Sequence, residues 1–275
     1  MYLNGSDDMG TGYQLLSLDR NSPMSFTVTY DNLSKITYND RKITKVVYDV
    51  TEYPFSADND GDFEVTKDFY YGFAYYWASK VNIKARFYYA DGSLVDFSSG
   101  NAYLSVNSLN NYSNWLQQYS IEGVRVNSGG KALALRGSSV TVHNGNYLYA
   151  DKANSFTTDG HYAATRDEDW NRDFTNNPYA TTDSNISEGW DLQDSSYRYY
   201  GAGLIKLSGT ELNIDVIASD NGIPTRAPGY SGNISWRSGM WYNTSTIISV
   251  TPTTQIDYHY NVVLLIALNQ LYLKG

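Results

Sequence analysis

The stretch VNIKARFYYADGSLVDF, residues 81–97, carries the pattern that decides the fold. Its apolar residues at 83, 85, 87 and 89 alternate with Lys84 and Arg86. A period of two places one set of side chains on a core and the other set in water. Asp91-Gly92 follows, a pair typical of a type I′ hairpin turn, in which both central residues need a positive φ. The stretch therefore predicts a β-hairpin with one buried face.

The same alternation recurs along the chain. It is present at residues 26–30 and 46–50. Asn144-Gly145, within SSVTVHNGNYLY, predicts a second type I′ hairpin. Further strands are expected at residues 132–135, 203–207, 212–217, 246–250 and in the aliphatic run that begins at residue 262. Many short strands with turn signals indicate a β-sandwich or a barrel.

One stretch has a helical period. From Ser108 to Tyr119, apolar residues recur at spacings of three and four, which predicts one short amphipathic helix.

No linker or internal repeat divides the chain, so we expect a single domain over residues 1–275.

Composition excludes several classes of site. The 275 residues include no Cys and three scattered His, which rules out a thiol nucleophile and makes a Cys- or His-based metal site a poor fit. The net charge of −9 opposes binding of a nucleic-acid backbone by the domain as a whole. The longest aliphatic run, Val262 to Leu268, is far shorter than the ~20 residues of a membrane helix, so no membrane insertion is expected.

A long irregular segment separates two groups of predicted strands. Asp151 to Trp190 shows neither strand nor helix periodicity. A compact domain seldom carries so long an irregular segment without a functional use, and the usual use is a binding surface or lid. Trp170, in the mixed-charge stretch RDEDWNRD, is a candidate ligand-binding ring within it.

The strongest candidate site is SEGWDLQDSSYRYYGAG, residues 187–203. Three acids, Glu188, Asp191 and Asp194, flank Trp190, and Tyr199 and Tyr200 follow. Carboxylates beside aromatic rings are typical of a carbohydrate pocket or a calcium-dependent lectin pocket, where acids accept sugar hydroxyls and rings cover the apolar sugar face. The same acids could form the acid and nucleophile pair of a glycosidase. The glycines at 201 and 203 indicate a bulge or a close backbone approach.

Six blocks of the sequence resemble, in order, the glucan-binding protein C family, which includes the variable domain of antigen I/II adhesins and the adhesin domain of aggregation substances. The blocks are FTVTYDNLSKITYNDRKITKVVYDVT, FYYADGSLVDF, NAYLSVNSLN, IEGV, GSSVTVHNGNYLY and GWDLQDSSYRYYGAGLIKLSG, and the resemblance spans about residues 26–250. Trp190, Asp191 and Asp194 match the family's WD-x-x-D block. Tyr199, Tyr200 and the two following glycines match its continuation.

The resemblance implies an all-β fold, a large antiparallel lectin-like β-supersandwich with long decorating loops. It also implies a non-enzymatic adhesin domain of a longer, wall-anchored bacterial surface protein, monomeric when isolated. The expected ligand is a glucan, a host glycoprotein or a partner-microbe glycan, bound in a cleft for attachment, co-aggregation or biofilm formation. Calcium is the expected cofactor, with Glu188, Asp191 and Asp194 as its ligands.

Two alternatives remain open. One is a module that binds extracellular DNA or teichoic acid, favoured by the cations Lys35, Arg41, Lys42 and Lys45 close together in the chain. The other is a glucan-active enzyme that uses Glu188 with Asp191 or Asp194. Under the leading interpretation, Trp190 lines a solvent-filled recess.

Overall fold

The fold is built almost wholly from antiparallel strands. The computed structural model describes residues 2–5, 13–18, 23–54, 61–66, 69, 72–76, 78–111, 121–152, 154–155, 189–191, 195–218, 240–242 and 247–249. The strands in chain order are β1 (Tyr2–Gly5), β2 (Tyr13–Leu18), β3 (Met24–Tyr30), β4 (Ile36–Tyr38), β5 (Arg41–Pro54), β6 (Gly61–Thr66), β7 (Phe73–Tyr76), β8 (Ala78–Tyr89), β9 (Ala102–Val106), β10 (Glu122–Ser128), β11 (Gly130–Ala134), β12 (Val140–His143), β13 (Tyr147–Ala150), β14 (Gly203–Leu207), β15 (Leu212–Ala218), β16 (Met240–Tyr242) and β17 (Ile247–Ser249).

The strands form three sheets. The largest has eight strands in the order β12-β13-β10-β15-β8-β5-β3, with β4 also paired to β5. A five-stranded sheet has the order β1-β2-β6-β7-β16, and a four-stranded sheet has the order β11-β14-β9-β17. All the described strand pairs are antiparallel, which confirms the all-β antiparallel prediction.

One continuous core joins the three sheets. The inward side chains of the eight-stranded sheet belong to the same buried cluster as Phe63 and Phe73 of the five-stranded sheet and Leu104 and Ile205 of the four-stranded sheet. Phe26 on β3 meets Phe63 on β6 edge to face, with ring centroids 4.9 Å apart. Both smaller sheets therefore pack on the inner face of the large one, as the alternating sequence pattern requires.

The two hairpins differ in their turns. Asn144 and Gly145 have φ values of 49° and 79°, the positive pair expected between β12 and β13. At Asp91-Gly92 only Gly92 has a positive φ, 82°, and the Gly92 N–H donates to Tyr89 O. The type I′ prediction is wrong there, because a three-residue loop ending in a left-handed glycine also reverses the chain. Asn39-Asp40, with φ of 50° and 58°, has the positive pair instead.

The predicted helix falls mostly outside the described residues. Residues 112–120 are not described. Its first residues are not helical, because Ser108 has a φ of 62° and Asn111 pairs with Ile121 in an antiparallel bridge. A single turn of 3-10 helix, Arg198–Gly201, is described.

No helix in the described parts of the chain is long and apolar enough to span a bilayer. The aliphatic run from Val262 also lies outside the described residues.

Phe63 provides a test of this packing. It is 1% exposed and contacts rings from both β3 and β7. We expect Phe63→Ala to lower the free energy of unfolding by about 3–5 kcal/mol, because it opens a cavity between two sheets. Urea unfolding followed by tryptophan fluorescence measures this. Leu94→Ala, at a side chain 44% exposed, should stay within about 0.5 kcal/mol of the parent. Equal losses for the two variants would contradict the sheet packing.

Candidate functional site

A cluster of buried and partly buried polar side chains lies where the irregular segment leaves and rejoins the sandwich. We call it the polar cluster. Its members are Ser108, Asn110, Asn111, Glu122, Asn154, Ser155 and Asp191. Asn110, Asn111, Glu122, Asn154 and Ser155 are each at most 4% exposed. Buried polar groups are costly unless they are hydrogen-bonded, so such a cluster holds its segments in one arrangement.

Asn154 is the centre of the polar cluster. Its Nδ2 donates to Leu109 O at 3.0 Å and to Ser139 Oγ at 2.9 Å. Its Oδ1 accepts from the Asn111 N–H at 2.7 Å and from Ser155 Oγ at 3.2 Å. A primary amide has two donor hydrogens and two acceptor lone pairs, and all four are used. The start of the irregular segment is thereby fixed to the loop after β9 and to the residue before β12.

Trp190 is sealed in the interior. The indole is 0% exposed, and its Nε1–H donates to Asn154 O at 3.0 Å. It packs edge to face on Tyr200 and lies so close to Gly201 that an added methyl there would be 1.9 Å from Cζ3. The prediction that Trp190 lines a solvent-filled recess is wrong, because polar and apolar contacts close around the ring. The predicted close backbone approach at Gly201 is confirmed.

Two carboxyl groups share Asn110 as a partner, the buried Glu122 and the partly buried Asp191. Asp191 Oδ2 accepts from Asn110 Nδ2 at 2.8 Å and from Ser108 Oγ at 2.9 Å. Glu122 Oε2 accepts from the Asn110 N–H at 2.9 Å. Burial raises the pKa of Asp191 to about 6, against the two hydrogen bonds and Arg198, which lower it. Burial also raises the pKa of Glu122 well above its usual value.

Of the three expected calcium ligands, the structure describes only Asp191. Calcium takes six to eight oxygen ligands. Asp191 Oδ2 instead faces a hydroxyl and an amide that donate hydrogens to it. No group of three or more His, Asp or Glu side chains able to hold a metal occurs among the described residues. Glu188 and Asp194 lie outside those residues, so their expected metal role stays a prediction.

The tyrosines after Asp191 divide into buried and exposed rings. Tyr200 is 3% exposed, and its carbonyl accepts hydrogen bonds from the Ser139 N–H and from the hydroxyls of Ser138 and Ser139. Tyr197 is 43% exposed, and Tyr199 is partly exposed. Their ring centroids are 6.4 Å apart. Tyr197 and Tyr199 are therefore neighbouring rings with solvent-exposed area, in the same turn as the buried Tyr200.

The structure brings together only part of the predicted site. Trp190, Asp191, Tyr199 and Tyr200 are neighbours, whereas Glu188, Asp194 and Trp170 lie outside the described residues. Trp190 and Tyr200 have no exposed face for a ligand, which corrects their expected contact role. Sequence reasoning missed Tyr197, Glu122 and Asn154. Tyr197 lies inside the quoted block and shares its aromatic character, but no spacing rule marks the other two.

A comparison with known protein families covers most of the sequence. Residues 5–245 match the family model described as glucan-binding protein C. The chain belongs to the glucan-binding protein C family. The match begins earlier than Phe26, where the motif resemblance starts, and so includes β2.

Solved structures of the family share the fold. Glucan-binding protein C of Streptococcus mutans, described as mediating sucrose-independent and sucrose-dependent adherence, has a TM-score of 0.58 at 20% identity, over 88% of this chain and 62% of that one. The adhesin domain of PrgB from Enterococcus faecalis, bound to DNA, has a TM-score of 0.59 at 19% identity, over 85% of this chain and 71% of that one. Without DNA it gives 0.56 at 18% identity, over 85% and 67%.

The coverage and the low identities limit which properties of these relatives can be assigned to this chain. The chain spans less than two thirds of the Streptococcus mutans protein that it matches. At identities of 18–20%, the similarity shows the fold, and ligand contacts must be argued from this chain's own residues. The named relatives are adhesins or glucan-binding proteins.

The buried position of Trp190 gives a stability prediction. We expect Trp190→Ala to lower the free energy of unfolding by about 3–5 kcal/mol, since it leaves a cavity and removes the donor to Asn154 O. Trp190→Phe keeps most of the ring volume and should cost less. Chemical denaturation followed by circular dichroism measures both. Tyr197→Ala, in the same segment but exposed, is the control. A Trp190→Ala variant as stable as the Tyr197→Ala variant would show that the indole is not sealed.

Asp191 gives a pH prediction. The folded protein keeps the Asp191 proton up to pH about 6, while the unfolded chain releases it near the usual pKa of 3.8. The folded state therefore binds more protons than the unfolded state in this window, and the Asp191 contribution to stability falls as pH rises from about 4 to 6. Asp191→Asn should make the fall shallower, because the amide does not titrate between pH 4 and 6. The amide oxygen can still accept both hydrogen bonds.

The measurement is the free energy of unfolding by urea at several values between pH 4 and 7. Asp96→Asn is the control, since the Ser98 hydroxyl and N–H lower the pKa of that exposed carboxyl. The control should leave the fall unchanged. An unchanged pH profile in Asp191→Asn would mean that Asp191 titrates normally in the folded protein.

Proposed function

We propose that the chain is a non-enzymatic adhesin domain of a bacterial surface protein and that it binds a neutral glucan-type carbohydrate through Tyr197 and Tyr199. The observation that carries the proposal is the pair of neighbouring rings, Tyr197 exposed and Tyr199 partly exposed, in a turn that is hydrogen-bonded to buried residues. Flat, amphipathic rings stack on the apolar faces of sugars, and tyrosine loses little conformational entropy on binding.

The ring pair stands on a firmly held backbone. The Tyr197 N–H donates to Ser195 Oγ at 3.2 Å, and the Tyr200 N–H closes the turn on Tyr197 O at 2.8 Å. Ser138 Oγ donates to the carbonyls of both Tyr200 and Ala202, at 3.0 and 2.7 Å. Leu109 N–H donates to Gly201 O at 2.9 Å. A preorganised platform reduces the entropy lost when the ligand binds.

The comparisons support a carbohydrate ligand and a role in adherence. The family takes its name from glucan binding, and the Streptococcus mutans relative is described as mediating adherence with and without sucrose. The full-length protein would act at the cell wall, in attachment, co-aggregation or biofilm formation. A host glycoprotein or a partner-microbe glycan could present similar sugar faces to the same rings. A glucan-active enzyme is the weaker proposal, since Asp191, its one described acid, is partly buried and its Oδ2 already accepts two hydrogen bonds.

Replacement of Tyr197 tests the proposal. We expect Tyr197→Ala to lower binding to dextran by roughly five- to twelvefold, because the lost aromatic contact weakens binding by roughly 1–1.5 kcal/mol. Affinity electrophoresis in gels with and without dextran measures the change. The unfolding free energy should remain within about 0.5 kcal/mol of the parent, because the side chain is exposed.

Leu94→Ala is the matched control. Leu94 and Tyr197 are the large apolar side chains that are exposed among the described residues, and Leu94 lies on the hairpin after β8. The control should bind dextran like the parent. Dextran binding that survives in Tyr197→Ala, or is lost equally in Leu94→Ala, would place the glucan site elsewhere.

DNA is a second candidate ligand. The PrgB adhesin domain was determined bound to DNA. Of the expected cations, Arg41 is engaged by Asp91 at 2.7 Å and lies over the Tyr89 ring, whereas Lys42 is exposed. Lys45 projects over the Tyr88 ring on the outer face of the large sheet. DNA binding would therefore have to involve the outer face of the large sheet, where Lys45 lies.

A further inference from the structure

The outer face of the large sheet carries a line of cations along β8. Val81, Ile83, Ala85 and Phe87 point into the core, each at most 2% exposed. The residues between and beside them point outward, and these include Lys80, Lys84 and Arg86. Alternate residues on a strand are about 6.8 Å apart, so the three cations span roughly 20 Å.

The neighbouring strand β5 widens the line. Lys45 lies opposite Tyr88, and Asp49 lies opposite Lys84. Lys42, at the start of β5, is exposed beyond them. We call Lys42, Lys45, Lys80, Lys84 and Arg86 the basic strip. The chain as a whole has a net charge of −9, so this face runs against the overall acidity.

Two carboxylates lie beside the basic strip, and both already have partners. Asp215 on β15 lies opposite Asn82, accepts a hydrogen bond from it at 2.8 Å and is 3.9 Å from Arg125. Asp49 is the one carboxylate at an outward position of β5 and β8 in the part of the chain that the structure describes, and Arg86 binds it with Nη2 to Oδ2 at 2.5 Å. Thr27 Oγ1 also donates to Asp49 at 3.0 Å. Lys42, Lys45, Lys80 and Lys84 form no ion pair with any described residue. Four ammonium groups therefore have no carboxylate partner among the described residues.

Lysine, arginine and histidine side chains lie over the tyrosine rings on this face. Lys45 Nζ lies 4.4 Å from the Tyr88 ring centroid, and Lys80 Nζ lies 4.1 Å from that of Tyr53. Farther along the same face, Arg125 covers Tyr147 at 3.9 Å, and His143 stacks on Tyr149 at 3.6 Å. Single-stranded nucleic acid is held by bases stacked on open aromatic faces, which this arrangement does not offer.

Hydroxyl and amide groups fill the positions between the cations. Ser25 and Thr51 meet through their hydroxyls at 2.9 Å, and Thr29 is exposed on the edge strand β3. Asn82, between Lys80 and Lys84, donates to Asn213 and Asp215, each at 2.8 Å. Cations interspersed with small hydroxyls suit a chain that bears both charged groups and sugar hydroxyls.

We propose that the basic strip binds an anionic polysaccharide, one that carries sulfate or carboxylate groups along a linear sugar chain. The ammonium groups pair with its anions, and the outer face of β3, β5 and β8 runs along the line of cations as an extended polymer would. The site gives the domain a second, salt-sensitive means of attachment to a glycan-coated surface.

This surface is separate from the tyrosine pair. On β10, Glu122 alternates in phase with the core residue Val124, so it lies on the inner side of the large sheet, where it accepts from the Asn110 N–H of the polar cluster. The basic strip occupies the outer side of the same sheet. Binding at the strip therefore does not depend on the glucan site, and the two can be tested apart.

The test uses heparin as the sulfated polysaccharide, dextran as the neutral one and a single-stranded oligonucleotide as the competing polyanion. We expect the parent protein to be retained on immobilised heparin at low salt and released as salt rises. Lys80→Gln with Lys84→Gln should elute at clearly lower NaCl, with a shallower dependence of log Kd on log salt, because fewer counterions are released. Dextran binding should be unchanged.

The matched control is Lys131→Gln with Lys206→Gln. These lysines are cross-strand neighbours on β11 and β14 of the four-stranded sheet, and their replacement removes the same charge from another surface. The control should elute with the parent. A parent that passes through heparin at low salt, or a control that weakens as much as the strip variant, overturns the proposal. An oligonucleotide that displaces the protein from heparin at lower charge concentration than soluble heparin also overturns it, in favour of DNA.

Discussion

The turn that carries Tyr197 and Tyr199 depends on the buried side chain of Asn154, which donates to Ser139 Oγ, and Ser139 in turn donates to Tyr200 O. Asn154 is 0% exposed and uses all four of its hydrogen-bonding positions within the protein. Its backbone carbonyl also accepts from Trp190, so both ends of the long irregular segment meet at one residue. A buried amide left with an open position would cost about 1–3 kcal/mol, which favours a single arrangement of the surrounding loops. Tyr197 and Tyr199 owe their fixed position to this constraint.

The large sheet serves two purposes because its two faces are chemically independent. Side chains alternate across a strand, so β8 buries Ile83 and Phe87 while it exposes Lys84 and Arg86. The buried set is restricted by packing against the two smaller sheets. The outward set has no such restriction and can take any charge that a ligand requires. A sandwich of this size thus offers loops at its ends and a sheet face for recognition.

Much of the fold follows from local patterns. Residues 203–207 are predicted as a strand and are observed as β14 with the same bounds. The Asn144-Gly145 turn is correct in its φ signs, because those two residues favour them with little help from the rest of the chain. At Asp91 the same reasoning is wrong, since a longer loop with only Gly92 left-handed gives an equally good chain reversal. Local preference limits the choice of turn there but does not decide it.

The site shows where sequence reasoning stops. A Trp between acids is equally consistent with a sugar platform and with a buried anchor, and the sequence alone cannot decide between them. Glu122 and Asn154 lie far from Asp191 in the chain, and only the tertiary structure joins them through Asn110 and Ser155.

The sequence by itself determined the strand pattern, the all-β class and the family, because alternation and turn chemistry act between near neighbours. Only the tertiary structure decided which rings are exposed and which charges share a face. Burial and charge clustering depend on contacts between distant segments, which no local pattern encodes.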